Sequence, residues 1–243
     1  MKLINVNTLE IQEFIDAKNA PKYAILSHRW QAGELSFEQY MDPAQRHGPG
    51  FDKIRHFCHF WWSDTIQWCW VDTCCIDKRS SAELSESINS MSRWYQESAF
   101  CVTYLADVPP PTNSGVMQAA LERSEWFTRG WTLQELLFPP FVVFCDQRWT
   151  VLPDLPKFSP IISKITGVPV DCLRYRPPRD YSIACRMSWA AFRTTTRRED
   201  EAYCLLGLFD INMPLLYGEG RKAFRRLQEA IIRHSRDDSI LSW

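Results

Sequence analysis

Four short apolar runs punctuate this chain, and turn-forming or polar residues border each one. They are Tyr23-Ala-Ile-Leu-Ser27, Trp68-Cys-Trp-Val-Asp72, Phe100-Cys-Val-Thr-Tyr-Leu105 and Phe141-Val-Val-Phe-Cys145. Continuous apolar character, rather than alternation, is what strands covered on both faces show. Between these runs the period changes to that of helices. Ile54, Phe57, Cys58 and Trp61 share one side of a helix beginning near Phe51. Ser80-x-x-Glu83 has capping-box spacing, and Leu84, Ile88, Met91 and Tyr95 follow it as a helical stripe. Leu133, Leu136 and Leu137 form another stripe, halted by Pro139-Pro140, whose rings offer no backbone N–H. Strand and helix in alternation predict a doubly wound α/β fold with a mostly parallel sheet.

The ends of the chain are less regular. The first twenty residues give a short apolar start and a helix-like grouping of Leu9, Phe14 and Ile15. From Trp149 to Tyr181 the chain is studded with proline and shows no clear period. Beyond it, Thr196-x-x-Glu199 repeats the capping-box spacing, and Ala202, Leu205, Leu206 and Phe209 mark a buried stripe. Pro214 and Tyr217-Gly-Glu-Gly220 break that helix. A last one turns Phe224, Leu227 and Ile231 inward and Arg221, Lys222, Arg225 and Arg226 to solvent. The expected organisation is one domain over 1–243, with an α/β core at 1–150 and a helical extension at 151–243.

Composition narrows the class. A net charge of −1 gives no electrostatic footprint for nucleic acid. Eleven Trp and fourteen Phe imply a bulky core or a stacking pocket. Nine Cys, mostly inside apolar runs, read as reduced small hydrophobes rather than a disulfide framework, and no metal is expected on them. The start lacks a signal-peptide pattern, and the most apolar run, 136–145, is too short for a span. The expectation is a soluble cytoplasmic protein without membrane contact.

Candidate chemistry collects at strand ends. Ser27, His28, Arg29 and Trp30 close the first strand, and Asp72 and Asp77 follow the second, at the edge where open α/β sheets bind ligands. A loop whose Trp30 plugs the core is the bland alternative. Glu135 lies off the leucine stripe, one helical turn after Trp131 on the same face. On these residues alone an ordinary solvated glutamate beside a half-buried tryptophan is the simpler reading. Glycine-rich dinucleotide loops, a Walker lysine loop and a nucleophile elbow are absent. His56, Cys58 and His59 have no second ligand pair at zinc spacing. Arg193, Arg197 and Arg198 precede Glu199, Asp200 and Glu201, and ion pairs clamping the terminal helices to the sheet explain them better than a substrate role.

Five words in order carry a family resemblance: Tyr23-Ala-Ile-Leu-Ser-His-Arg-Trp30, Trp70-Val-Asp-Thr-Cys-Cys-Ile-Asp77, Arg129-Gly-Trp-Thr-Leu-Gln-Glu-Leu136, Arg193-Thr-Thr-Thr-Arg-Arg-Glu-Asp200 and Tyr217-Gly-Glu-Gly220. With them the chain resembles fungal heterokaryon-incompatibility (HET) domains along nearly its whole length. These trigger programmed cell death after non-self recognition, a form of fungal innate immunity, and they often precede NACHT, ankyrin or other regulatory modules. Whether this chain is a fragment or a stand-alone member stays open. HET domains are in turn distantly similar to TIR domains, whose sheet is flavodoxin-like. TIR domains that cleave NAD carry a catalytic glutamate in a Trp-x-x-x-Glu-Leu word, which Trp131 to Leu136 matches. The resemblance therefore implies a TIR-like fold, NAD or a related dinucleotide as substrate, no further cofactor, and Glu135 as the catalytic carboxylate. Trp30 or Trp131 would stack on a ring, and Arg29, Arg193 or Arg197 would meet the diphosphate. Self-association on activation is also expected. The rival expectation is a non-enzymatic module acting by homotypic or partner contacts.

Overall fold

Turn chemistry at the very start of the chain sets the edge of the sheet. Asn5 Oδ1 accepts from the backbone N–H of Asn7 (3.0 Å) and Thr8 (3.1 Å), and Leu9 adopts a φ of 59°. The flanking segments β1 (Lys2–Asn5) and β2 (Ile11–Glu13) therefore pair antiparallel, with Leu3 and Ile4 buried. This corrects the helix-like reading of Leu9, Phe14 and Ile15. The computed structural model describes residues 1–15, 19–60, 65–152 and 155–242, with the side chains of 155–157 outside it.

The four apolar runs form β3 (Tyr23–His28), β4 (Trp68–Val71), β5 (Phe100–Tyr104) and β6 (Val142–Cys145), all mutually parallel. Among the described residues the sheet has six strands in the order β2-β1-β4-β3-β5-β6, with β1 antiparallel to β4. The parallel part thus runs second, first, third, fourth, the flavodoxin-like order. Its switch point falls between β3 and β5, where Ser27 lies opposite Thr103 and His28 opposite Tyr104.

Helices connect and cover these strands. Ser36 and Gln39 form a capping box at the start of α1 (Phe37–Met41), and α2 (Gly48–Phe60) buries Ile54, Phe57 and Cys58. Trp61 lies outside the described residues. The Ser80 hydroxyl caps α3 (Ser81–Glu97) from the Glu83 N–H, but the Glu83 carboxylate turns instead to the Asp77 N–H (2.9 Å) and Lys2 Nζ (2.6 Å). Asn113 caps α4 (Ser114–Arg123), and α5 (Thr132–Leu137) stops before the proline pair as its sequence demands.

The region that resisted assignment supplies α6 (Leu155–Thr166) and α7 (Val170–Arg174). Then come α8 (Ile183–Ser188), the single turns α9 (Asp200–Tyr203) and α10 (Leu206–Phe209), and α11 (Lys222–His234). Two apolar clusters result, one around β1, β3, β4 and α2, the other around β6 and the later helices; Leu84 and Trp131 pack against both. Among the described residues no helix is long and apolar enough to cross a membrane.

The Thr196–Glu199 capping box does not form. Thr196 accepts instead from Arg129 Nη2 at 3.1 Å, and Glu199 Oε1 accepts the N–H groups of Gly218 (2.8 Å) and Gly220 (2.9 Å). Those glycines have φ of 104° and 59°, a backbone that L side chains rarely adopt, so the loop can present both N–H groups to one oxygen. The segment before α5 is stitched to the same region: Gly130 N–H donates to Thr194 O (2.9 Å) and Thr194 N–H to Thr128 O (2.7 Å). A Cβ at Gly130 would stand 2.5 Å from Thr195 Cγ2 and 3.0 Å from Cys204 Sγ. Gly130→Ala is accordingly expected to destabilise the fold by about 1–3 kcal/mol through overpacking. Urea unfolding checks this, and an unchanged midpoint contradicts the close packing.

Candidate functional site

Ser27 is the penultimate residue of β3, buried, and its hydroxyl has two partners. It donates to Glu135 Oε2 on α5 and accepts from Trp126 Nε1 at 2.9 Å. The Tyr95 hydroxyl, from α3, also bonds the Glu135 carboxyl. Glu135 is only 7% exposed, so it is no solvated residue on the outer side of a stripe. The correction has a simple cause. α5 is enclosed on all sides, with Thr132, Leu133, Gln134, Glu135 and Leu136 all buried, and the leucine stripe marks only its most apolar side.

Burial raises the Glu135 pKa from 4.5 to about 8, and the nearby charge of Asp72 adds to the rise. The Ser27 hydrogen bond, the charge of Arg193 and the Tyr95 hydrogen bond oppose it. At neutral pH this carboxyl holds its proton in the unliganded site.

Arg193 approaches from the C-terminal half. Its Nη1 donates to Arg129 O and Thr132 Oγ1, both at 2.9 Å, and its Nε donates to Trp189 O at 3.1 Å. Nη2 is shut off from solvent without an acceptor. Burial lowers its pKa to about 10, so it stays cationic at neutral pH. The expected ion-pair clamp is thus corrected: Arg193 does clamp, but onto carbonyl and hydroxyl oxygens. Arg197 and Arg198 are exposed, and Arg197 sits over the Tyr217 ring at 4.5 Å.

The other expected site residues divide. Trp131 joins α5 to α9 through a hydrogen bond to Asp200, which also accepts from the Tyr217 hydroxyl at 2.9 Å. Trp30 is 50% exposed, with its Nε1 on Asp72 Oδ2 at 2.7 Å and Lys78 Nζ 3.6 Å from its ring centroid. Arg29 is tied to Glu125 at 2.5 Å on the surface. Asp77 is engaged by Arg79 at 3.0 and 3.1 Å. His28 is buried with Nε2 3.5 Å from Glu34, whose second oxygen pairs with Lys53. Burial pushes the Glu34 pKa up, but His28 and Lys53 outweigh it and bring it to about 2.

Ser27, Asp72, Glu135 and Arg193 therefore share one neighbourhood, with Trp30 at its rim through Asp72. Asp77, Arg29 and Arg197 point to other partners. Sequence reasoning missed Trp126 and Tyr95, and gave Lys78 no part. Tyr95 fell on an apolar stripe, and only its hydroxyl hinted at a polar partner. A cavity of about 1740 Å³ elsewhere in the fold is lined by none of these site residues.

Fold and site together define a doubly wound α/β protein carrying a proton-holding carboxyl at the carboxyl edge of its sheet. A family model described as heterokaryon incompatibility protein (HET) matches residues 23–119. The vegetative incompatibility protein HET-E-1 of Podospora anserina is 43% identical over 229 residues, which cover 91% of this chain and 17% of that protein. The chain belongs to the heterokaryon incompatibility family. No solved structure matches.

Two outcomes follow from this geometry. An unfolded glutamate releases its proton near 4.5, whereas folded Glu135 keeps it to about 8. Its contribution to stability is full below the lower value and fades as pH rises through the upper one, by on the order of 5 kcal/mol. Wild type should therefore lose stability relative to Glu135→Gln across that window in chemical denaturation; a pH-independent difference contradicts the burial. Arg193→Ala, which removes the donors to Trp189 O, Arg129 O and Thr132 Oγ1, should cost about 1–3 kcal/mol, and exposed Arg197→Ala no more than about 1 kcal/mol. Melting of the two variants side by side checks the order, and equal losses contradict it.

Proposed function

We propose that this chain is a cell-death effector domain of fungal non-self recognition that cleaves NAD, or a related dinucleotide, to nicotinamide and ADP-ribose. The observation that carries the reading is Glu135, a buried carboxyl at the carboxyl end of β3, hydrogen-bonded to Ser27 and Tyr95. It stands in the Trp-x-x-x-Glu-Leu word that NAD-cleaving TIR domains use, and this step is analogy between families. The vegetative incompatibility protein with which the chain aligns gives the biological setting. Since the alignment spans 17% of that relative, regulatory modules such as NACHT and activation by self-association belong to the proposal too.

The chemistry asks little of the protein. Nicotinamide leaves as a neutral base, so its departure needs no general acid. Charge develops on the ribose, and a fixed carboxylate beside it stabilises that charge strongly where water is excluded. Glu135 supplies the carboxylate once its proton is gone. The cationic nicotinamide ring of the substrate and Arg193 both favour that ionisation, one by direct charge and the other across the enclosed site. The unused Nη2 donor of Arg193 is suited to a substrate oxygen or diphosphate. Trp30, fixed by Asp72 and offering half its surface, stacks on an aromatic ring of the dinucleotide. Water then takes up the ribosyl cation, with Glu135 able to receive its proton.

A second reading has its own observation. A cavity of about 1740 Å³ is lined by residues other than Glu135, which suits a module that signals by contacts rather than turnover. Purified protein incubated with NAD separates the two. Released nicotinamide is expected, with kcat/KM rising with pH and levelling above about 8, where free-enzyme Glu135 is ionised. Glu135→Gln, folded by circular dichroism, should lose roughly a thousandfold or more. Unchanged NAD cleavage in that variant removes Glu135 from the chemistry, and no cleavage by wild type, alone or assembled, favours the contact module.

A further inference from the structure

The cavity of about 1740 Å³ is bounded by α3, the turn and strand 138–144, segment 172–179 and segment 206–212. β6 enters it as the last strand in the sheet order, and among the described residues only an isolated bridge from Val151 to Cys145 lies beyond it. Cys101 N–H donates to Phe141 O at 2.8 Å and Cys101 lies opposite Val142. In a parallel ladder Phe141 and Val143 therefore turn their backbone groups toward β5, while Val142 and Phe144 turn theirs outward. Leu152 N–H occupies the outward Phe144 O at 2.8 Å. One step earlier, among the described residues, no backbone group pairs with Val142 on its outward side.

The same groove is basic in a chain whose net charge is −1. Arg93, Arg174, Arg176, Arg179 and Arg186 line it against Glu86 and Asp210. Arg186 gives Nη1 to Leu208 O at 2.7 Å and lies 4.7 Å over the Phe209 ring, but its Nε is enclosed without an acceptor. Phe141 and Tyr175, 70% and 80% exposed, add apolar surface. The volume exceeds the roughly 300–1,000 Å³ of small-ligand sites.

From the open edge at Val142, the excess of arginine and the volume of the groove, we infer that it receives an extended acidic peptide of a partner protein, added as a strand beside β6. Backbone pairing at Val142 supplies the register, and the arginines select carboxylate side chains over cationic ones. This inference is independent of the reading of Glu135.

The test uses a fluorescent peptide of about six residues alternating Asp with Val or Phe. Its controls carry Lys for Asp, or N-methyl groups on alternate backbone nitrogens. Saturable binding of the acidic peptide, weakening as NaCl rises, is expected, with both controls failing. Arg93→Glu with Arg179→Glu, two exposed positions, should lower affinity about tenfold or more without changing the melting temperature. No binding of the acidic peptide, or equal binding of either control, overturns the inference. Binding of inorganic phosphate or ATP in place of the peptide also overturns it, making the groove a small-anion site.

Discussion

A guanidinium enclosed without a carboxylate bonded to it is expensive unless oxygen acceptors surround it, and Arg193 meets that condition with three of them. Two, Arg129 O and Thr132 Oγ1, lie at the start of α5, and the third, Trp189 O, lies just past α8. One side chain of the C-terminal half thereby fixes where α5 begins. Since α5 has only six residues, fixing its first turn fixes Glu135 one turn further on. The backbone exchange between Thr128, Gly130 and Thr194, and the hydrogen bond from Trp131 to Asp200, hold the same junction from either side.

This explains why the helical extension is more than a cover for the sheet. Ser27 and Asp72 come from strand ends, Tyr95 from α3, Glu135 from α5 and Arg193 from beyond α8, so no stretch of the first half makes the site alone. Electrostatics completes the logic. Burial and Asp72 favour the protonated carboxyl, whereas Arg193 and the Ser27 and Tyr95 hydroxyls favour the ionised one. The balance leaves a group whose protonation responds to added positive charge, which in the proposed reaction the nicotinamide ring would bring.

Much of the fold was legible because four apolar runs and the stripes between them obey simple periods. The hairpin at the start was not, since β1 and β2 are short and their turn depends on Asn5 and a left-handed Leu9. The single-turn helices α9 and α10 are too brief to print a period, and Glu199 looked like a capping partner because its true ligands, Gly218 and Gly220, lie about twenty residues on. Glu135, Trp131 and Arg193 could be picked from the family words, but not their burial. A helix enclosed on every side shows the same leucine spacing as one lying on a surface, so sequence placed Glu135 at the right helix and in the wrong environment. Trp126 and Tyr95 were missed because bulky aromatics read first as core.

The account rests on Glu135 holding a proton that a bound dinucleotide displaces. Infrared difference spectroscopy of wild type against Glu135→Gln reads this directly, through the carbonyl stretch of a protonated carboxyl. At pH 7 the band should be present without ligand and should fall when NAD is added, in proportion to occupancy. A carboxylate already ionised at pH 7 without ligand, or a band that full NAD occupancy leaves untouched, contradicts the account.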